Sequence, residues 1–256
     1  MTMINTHDDP SKLPALLYHA HHQGYVEDIP FWKEMAARYG SPILELGCGT
    51  GRILIPLTLD GYLIYGLDNN YEMLDVLIRN QFLNSLKHLK VFQADVVAFD
   101  LMLKFSLIFM ACNTFSTFEE QRRQAILKTV SKHLSPGCAF VVSLPNPILL
   151  EKLPARSEEE LEDIIQHPVT GNPVQVLNCW QRKGQIFKLF WYYDHLAPDG
   201  TVDRVNFQIH HHIVQPDNYR AEFLAAGFSS IDLYGDFDFS EYRSDSNYLI
   251  LMAIKR

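Results

Sequence analysis

Three glycines at alternate positions, Gly47, Gly49 and Gly51, stand between two apolar runs. Ile43 to Leu46 precede them, apolar except for Glu45, in the manner of a strand buried on both faces. Arg52 to Leu59 follow with apolar residues at helical spacing. Strand, glycine turn and helix in that order make a cradle. Backbone without Cβ atoms lets a ligand approach closely, and the free N–H groups of a helix start favour a carboxylate or a phosphate. Two further acids sit at the ends of apolar runs. Asp68 closes Gly61 to Leu67 and lies about twenty residues beyond Glu45, the separation at which an α/β nucleotide fold places an acid for ribose hydroxyls. A carboxylate suits vicinal hydroxyls because its oxygens can accept from both. No Arg or Lys adjoins Asp68, which disfavours a 2′-phosphate. Asp95-Val96 stands at the end of Lys90 to Ala94.

The spacing excludes two common phosphate loops. A dinucleotide fingerprint needs glycine at position 52, which holds Arg52, and there is no G-K-[ST] sequence. What remains, E-L-G-C-G-T-G at residues 45–51, resembles motif I of the class I S-adenosylmethionine-dependent methyltransferases, with Asp68, Asp95-Val96 and Cys112-Asn113 in line with their later motifs. The likeness continues in A-G-F at 226–228 and Y-G-D-F-D at 234–238, and the layout is similar to the small-molecule branch that includes amino-sugar N-methyltransferases and related bacterial enzymes.

That resemblance implies S-adenosyl-L-methionine as cofactor and S-adenosyl-L-homocysteine as product. It places Asp68 on the ribose, Asp95 on the adenine amino group, the Val96 N–H on a ring nitrogen and Cys112 beside the sulfonium. Tyr25, or Tyr18, is the N-terminal tyrosine expected to cover the cofactor. Glu45, Gly47, Cys48, Gly49, Gly51, Asn69 and Met73 complete the expected cofactor set. Ala111 to Phe115 lack the [N/D]-P-P-[Y/F] motif of enzymes that methylate nucleic-acid amines or glutamine side chains, which counts against those substrates. Cys138 stands where many members carry a second glycine after Pro136-Gly137.

The elements that must hold these residues follow an α/β order. A helix is expected over Ile29 to Tyr39, ended by Gly40-Ser41-Pro42. Asn69 and Asn70 cap a helix running through Asn80, with Met73, Leu74 and Leu77 inward. Phe105 to Met110 form a fourth strand, Glu119 to Leu134 a helix, and Cys138 to Leu144 a fifth strand. Pro145 to Pro173 reads as loop, its acidic run Glu158 to Asp163 as a solvated helix face. Val174 to Trp180, Gly184 to His195 and Thr201 to Val214 alternate as strands and make an antiparallel insertion expected to fold over the ligand edge. Its Trp180, Arg182, Phe190, Tyr192 and Tyr193 would line a small organic substrate. Asp217 to Ala226 is the last helix, with Gly227 as its cap. Phe228 to Tyr234 and Tyr248 to Ile254 complete a doubly wound, mostly parallel seven-stranded sheet. The expected organisation is an N-terminal helical cap at 1–42, a cofactor-binding core at 43–150, a substrate-side loop and β insertion at 151–214, and a C-terminal helix with strands at 215–256.

Composition bounds the rest. An apolar fraction of 47% in 256 residues supports a packed core, and a net charge of −8 disfavours a nucleic-acid footprint. No signal peptide or membrane span is visible, so a cytoplasmic location is expected. Residues 1–12 should be mobile. Cys48, Cys112, Cys138 and Cys179 have no ligand spacing and read as buried thiols without disulfides. His19, His21 and His22 read as a surface or substrate rim, since no carboxylate or cysteine sits at ligand spacing. An O–H acceptor would need a base, for which His210, His212, Tyr192 and His19 are candidates. His210 and His212 share one face of a strand. The expected activity is methyl transfer to N or O of a small molecule by in-line displacement, with no metal, no nucleic acid and no membrane partner. A homodimer is the candidate assembly. The alternatives are a non-catalytic cofactor-binding sensor or assembly protein and, remotely, an NAD-dependent oxidoreductase.

Overall fold

The computed structural model describes residues 10–79 and 87–256. The chain divides into two compact bodies, one of Glu27–Leu153 with His212–Arg256, the other of Met1–Val26 with Pro154–His211.

In the larger body, the apolar runs become the strands of one sheet, fully buried at its centre and wetter towards its edges. These are β1 (Ile43–Leu46), β2 (Ile64–Asp68), β3 (Leu89–Gln93), β4 (Phe105–Met110), β5 (Leu134–Pro145), and the last two strands of the chain. Between them lie α2 (Ile29–Tyr39, before β1), α3 (Leu54–Leu59), α4 (Tyr71–Arg79) and α5 (Glu120–His133). A short α6 (Pro147–Lys152), capped by the Asn146 side chain, follows β5, and α7 (Pro216–Ala225) precedes β10 (Phe228–Tyr234) and β11 (Tyr248–Lys255). The seven strands lie in the order β3-β2-β1-β4-β5-β11-β10. β1 pairs in parallel with both β2 and β4, while β11 is antiparallel to β5 and β10. The strand order therefore reverses between β1 and β4, and the crevice outside their carboxyl ends is where open α/β sheets bind ligands.

Alternation sorts the two faces. Leu44 and Leu46 join Ile108, Phe140 and Phe223 on one side, whereas Ile43 joins Trp32, Leu54, Leu77 and Phe109 on the other. Glu45 shares the register of Ile43 and so faces α2 and α3. Helix α7 is tied to α5 by a buried fork. Arg123 Nε and Nη2 donate to Glu222 Oε2 and Oε1 at 2.9 and 2.6 Å, Nη1 donates to the Phe118 carbonyl, and the guanidinium lies 5.3 Å from the Tyr219 ring centre.

Most expected elements appear with boundaries moved by a few residues. Two differ in kind. α3 begins at Leu54 rather than Arg52, because Gly51 to Ile53 still belong to the turn and the first helical bond runs from Ile55 N–H to the Gly51 carbonyl. The acidic run is a strand, not a helix face. β6 (Glu160–Gln166) pairs antiparallel with β7 (Pro173–Lys183) through a bulge between Leu161 and Asp163. It is an edge strand wet on both faces, so no apolar alternation betrays it, and its charges discourage further pairing. The helix expected through Asn80 is observed to Arg79, and Asn80 lies outside the described residues. Of the expected mobile segment 1–12, residues 1–9 also lie outside them, and Pro10–Lys12 form a 3₁₀ turn leading into α1 (Leu13–His22).

The smaller body is the four-stranded sheet β6-β7-β8-β9, with β8 at Ile186–Leu196 and β9 at Val202–His212. α1 packs Leu17 against Val174, Val176 and Tyr193. Glu162 accepts from Asn178 Nδ2 and Trp191 Nε1, both at 2.8 Å, and pairs with His21 Nε2 at 3.5 Å. With the His21 bond as the leading cause, these donors hold its carboxyl down to about 2.

Among the described residues, no helix is long and apolar enough to cross a membrane. Glu222→Ala should destabilise the larger body by about 3–5 kcal/mol in urea unfolding, because it strands a buried guanidinium, whereas Arg123→Leu with Glu222→Leu should recover most of that loss. A single mutant within about 0.5 kcal/mol of wild type would show that the fork does not hold α7.

Candidate cofactor site at the carboxyl edge

The glycine loop leaves β1 with three left-handed residues, Gly47, Gly49 and Gly51, at φ 75, 50 and 85°. They serve different purposes. A Cβ on Gly51 would lie 2.4 Å from Leu77 Cδ1, so this glycine lets α4 pack close. A Cβ on Gly49 would meet nothing within 4 Å. The backbone at Gly49 therefore faces open space, a cradle shaped for something other than protein.

Asp68 sets that backbone. Its Oδ2 accepts the Gly49 N–H at 2.8 Å and its Oδ1 accepts the Asn70 N–H at 2.9 Å. Each oxygen keeps a further lone pair. The Gly47 N–H reaches the Leu67 carbonyl at 2.7 Å, and the Ala94 N–H reaches the Asp68 carbonyl at 3.0 Å. These bonds gather the ends of β1, β2 and β3 into one rim. Asn70 Oδ1 accepts the Met73 N–H and so caps α4, while Asn69 is exposed and its carbonyl accepts from Gln93. Met73 is buried on the inner face of α4.

Asp95 is held from two sides. Its Oδ1 accepts the Val97 N–H, and Arg122 Nη2 bonds both oxygens at 2.8 and 3.0 Å. Partial burial pushes its carboxyl up, but the Val97 N–H and Arg122 outweigh this and leave it below the ordinary range. Val96 beside it is buried.

Beyond β4 the chain turns through two successive non-glycine residues in the left-handed region, Cys112 at φ 52° and Asn113 at φ 60°. Such backbone costs about 1–3 kcal/mol per residue and persists where its surroundings impose it. The Thr114 and Ser116 hydroxyls close the turn on the carbonyls of Ala111 and Asn113. Arg52 Nη2 donates to Cys112 Sγ at 2.9 Å. Cys112 is exposed, contrary to the expectation of a buried thiol. Its position past the strand end, outside the packed layers, is the reason. Cys48 and Cys179 are buried, Cys138 is half-buried, and all four thiols are free.

The charge pattern around Glu45 was not legible in the sequence. Glu45 is 4% exposed, and its Oε2 has no hydrogen-bond partner. Burial raises its carboxyl well above the ordinary value, Arg52 draws it down, and Asp28 and Asp68 push it up. Arg52 is itself forked on Asp28, Nη1 to Oδ1 at 2.5 Å and Nη2 to Oδ2 at 2.8 Å, and Trp32 Nε1 donates to the same Oδ2 at 3.0 Å. The available signal was a lone arginine heading an apolar run and an aspartate, after Glu27, just before a helix with an apolar face.

The carboxyl edge of one sheet thus brings together Glu45, Gly47, Cys48, Gly49, Gly51, Asp68, Asn69, Asp95, Val96 and Cys112. Tyr25 belongs to the other body, half-buried just after α1, as does Tyr18, whose ring stacks on His22 at 4.1 Å. Of the base candidates, His19 is on α1, and burial lowers its pKa. Tyr192 on β8 accepts from the Cys179 thiol at 3.8 Å and lies under Arg204 at 4.6 Å; the thiol bond leads the causes that raise its pKa. His210 on β9 is exposed, His212 is half-buried, and His211 between them turns to the other face and is buried. In the smaller body His21 Nδ1 lies 3.2 Å from the Tyr193 hydroxyl, and the His167 and His195 rings are 4.2 Å apart.

Fold and edge together define the class I methyltransferase architecture. Residues 43–137 match the methyltransferase domain family. Over 109 residues the chain is 29% identical to the cypemycin N-terminal methyltransferase of a Streptomyces species, covering 42% of this chain and only 43% of that protein. Among solved structures, an S-adenosylmethionine-dependent methyltransferase from Clostridium acetobutylicum superposes with a TM-score of 0.79 at 14% identity, covering 96% of this chain and 99% of the other. A sugar N-methyltransferase from Streptoalloteichus superposes with a TM-score of 0.75 at 18% identity, covering 100% and 98%.

Two substitutions test the rim. Asp68→Ala should weaken S-adenosylhomocysteine binding by about 1.5–3 kcal/mol in calorimetry, since a charged acceptor is lost; unchanged affinity would remove Asp68 from the site. Gly49→Val should fold, because its Cβ meets no atom, yet bind the same ligand at least about tenfold more weakly through lost approach and left-handed strain. Normal binding by that variant would contradict the cradle.

Proposed function

We propose that this protein is a cytoplasmic S-adenosylmethionine-dependent methyltransferase acting on an amine nitrogen of a small molecule. One observation carries the reading: an open glycine loop pinned by Asp68, beside a buried Glu45 oxygen with no partner, at the switch point of a methyltransferase fold. The residues suit the cofactor's parts. The free lone pairs of Asp68 can receive two ribose hydroxyls, Asp95 the adenine amino group and the Val96 N–H a ring nitrogen. The unpartnered Glu45 Oε2 calls for a cationic donor, which an α-ammonium group provides.

When bound, S-adenosylmethionine supplies a methyl already activated on a sulfonium. The chain's task is then to bind, align and exclude water. Holding two reactants in line contributes up to roughly 7–11 kcal/mol by making the encounter unimolecular. The rigid turn at Cys112-Asn113 fixes the edge on the side expected for the sulfur. Nitrogen is preferred because the cypemycin N-terminal methyltransferase and the sugar N-methyltransferase similar to this chain point to it in their names. A neutral amine attacks with its lone pair and needs no base, so His19, Tyr192, His210 and His212 are not required to take a proton before transfer.

The test is a panel of amino sugars, peptide N-termini, phenols and carboxylates scored by S-adenosylhomocysteine release. Release with an amine is the expected outcome. Release with hydroxyl acceptors alone would move the assignment to oxygen, and saturable cofactor binding with no release from any acceptor would favour a non-catalytic binding protein.

A further inference from the structure

We infer that Arg122 is a positioning residue for recognition of the cofactor's base: it fixes the Asp95 carboxylate so that one oxygen lone pair is left to receive the exocyclic amino group. This rests on the cofactor reading above. Arg122 lies in the first turn of α5, where the helix dipole disfavours a cation, so the helix itself gives no reason for it. Contact supplies the reason. The guanidinium carbon lies 5.5 Å from the centre of the Phe118 ring, and Nη2 reaches both Asp95 oxygens, Oδ1 at 2.8 Å and Oδ2 at 3.0 Å.

Asp95 is held from its own chain as well. Its Oδ1 also accepts the Val97 N–H at 3.1 Å, and its carbonyl accepts the Ala98 N–H at 3.0 Å. About two turns beyond Arg122 on the same face of α5, the Thr129 hydroxyl donates to the Val97 carbonyl at 2.9 Å. Helix α5 therefore grips the segment after β3 at two points, by the Asp95 side chain and by the Val97 backbone.

A carboxylate offers about four acceptor positions. Val97 and Arg122 occupy those of Oδ1, and Arg122 takes one on Oδ2. The position that remains on Oδ2 suits the single donor of an adenine edge. A 6-oxo purine reverses the pattern, with an acceptor at the carbonyl and a donor at the ring nitrogen, and would set oxygen against the carboxylate. Asp95 is ionised and so keeps that contrast: burial raises its carboxyl, yet the Val97 N–H and Arg122 bring it below the ordinary range. Without Arg122 only the Val97 N–H would restrain the carboxylate, which could then turn about a broad terminal torsion. Both side chains are 42% exposed, so the pair adds little to stability. Its consequence falls on where the free acceptor points.

The experiment is calorimetric titration of the whole chain with S-adenosylhomocysteine and, by displacement, with S-inosylhomocysteine, its 6-oxo analogue. Wild type should prefer the amino form by about a hundredfold or more, since a polar site rejects a mismatched edge strongly. Arg122→Met should cut that preference about three- to fivefold, the upper end for a half-exposed ion pair, through weaker binding of the amino form alone. Asp95→Asn should lose most of the preference, and adding Arg122→Met to it should change the ratio no further. An unchanged or greater preference in Arg122→Met, an equal loss for both ligands, or the same fall in the Asp95→Asn background would overturn the inference while leaving the cofactor reading intact. Wild type that binds both ligands equally would overturn the inference together with the placing of Asp95 on the base. Wild type that binds no S-adenosylhomocysteine would overturn the cofactor reading too. Arg122→Gln also lacks the charge, so whichever of the two variants is folded by circular dichroism decides.

Discussion

The bond from the Gly49 N–H to the Asp68 carboxylate, 2.8 Å long, joins the two parts of the edge on which everything else depends. A glycine loop by itself is an entropic liability, free to take many conformations in the unfolded chain and few in the folded one. Asp68 removes that freedom from outside the loop. Because β1 and β2 run parallel in register, with Leu46 opposite Leu67, the acid one residue past Leu67 falls level with the loop. The sheet thus delivers the carboxylate to the backbone it must hold, and does so with lone pairs to spare for a ligand.

Around this bond the larger body buries more charge than a structural edge requires. Glu45, Asp28 and Arg52 all lie on the α2 and α3 side of the sheet, among Trp32, Leu54 and Phe109. Burying a charge is costly unless it is paired. Asp28 and Arg52 meet that condition through a fork with a supporting indole. Glu45 does not, and its Oε2 is buried without a hydrogen-bond partner. By contrast, the equally buried Arg123–Glu222 pair is satisfied on all sides by Phe118 and Tyr219, as befits a group whose role is to hold two helices.

The smaller body follows another logic. Its β6–β7 and β7–β8 pairs are antiparallel, α1 packs against the sheet, and its edge strand β6 is acidic and wet on both faces. Aromatic and imidazole rings, Tyr18, His21, His22, Trp191, Tyr193 and Phe207, form a contiguous side-chain cluster in it. Glu162 organises that cluster by accepting two fixed donors. Ring clusters of this type combine large apolar area with directional polar tips.

Local pattern alone determined a good deal. The apolar strand runs, the alternate glycines and the acids at strand ends are short-range signals, and with the family resemblance they carry they were enough to expect the fold class, the order of the seven-stranded sheet's elements, and Glu45, Gly49, Asp68 and Asp95 as members of one edge. Parallel strands buried on both faces leave a continuous apolar trace, and left-handed turns favour glycine, so both often survive in one dimension. Other features were decided only by tertiary structure. The acidic run became an edge strand because β7 offered it partners, and a solvated strand writes no periodicity. Arg52 and Asp28 found each other across two elements. Arg122 reached Asp95, and Cys112 with Asn113 entered left-handed backbone without a glycine to announce it. Each of these depends on which surfaces meet in three dimensions, and a linear pattern holds no record of that.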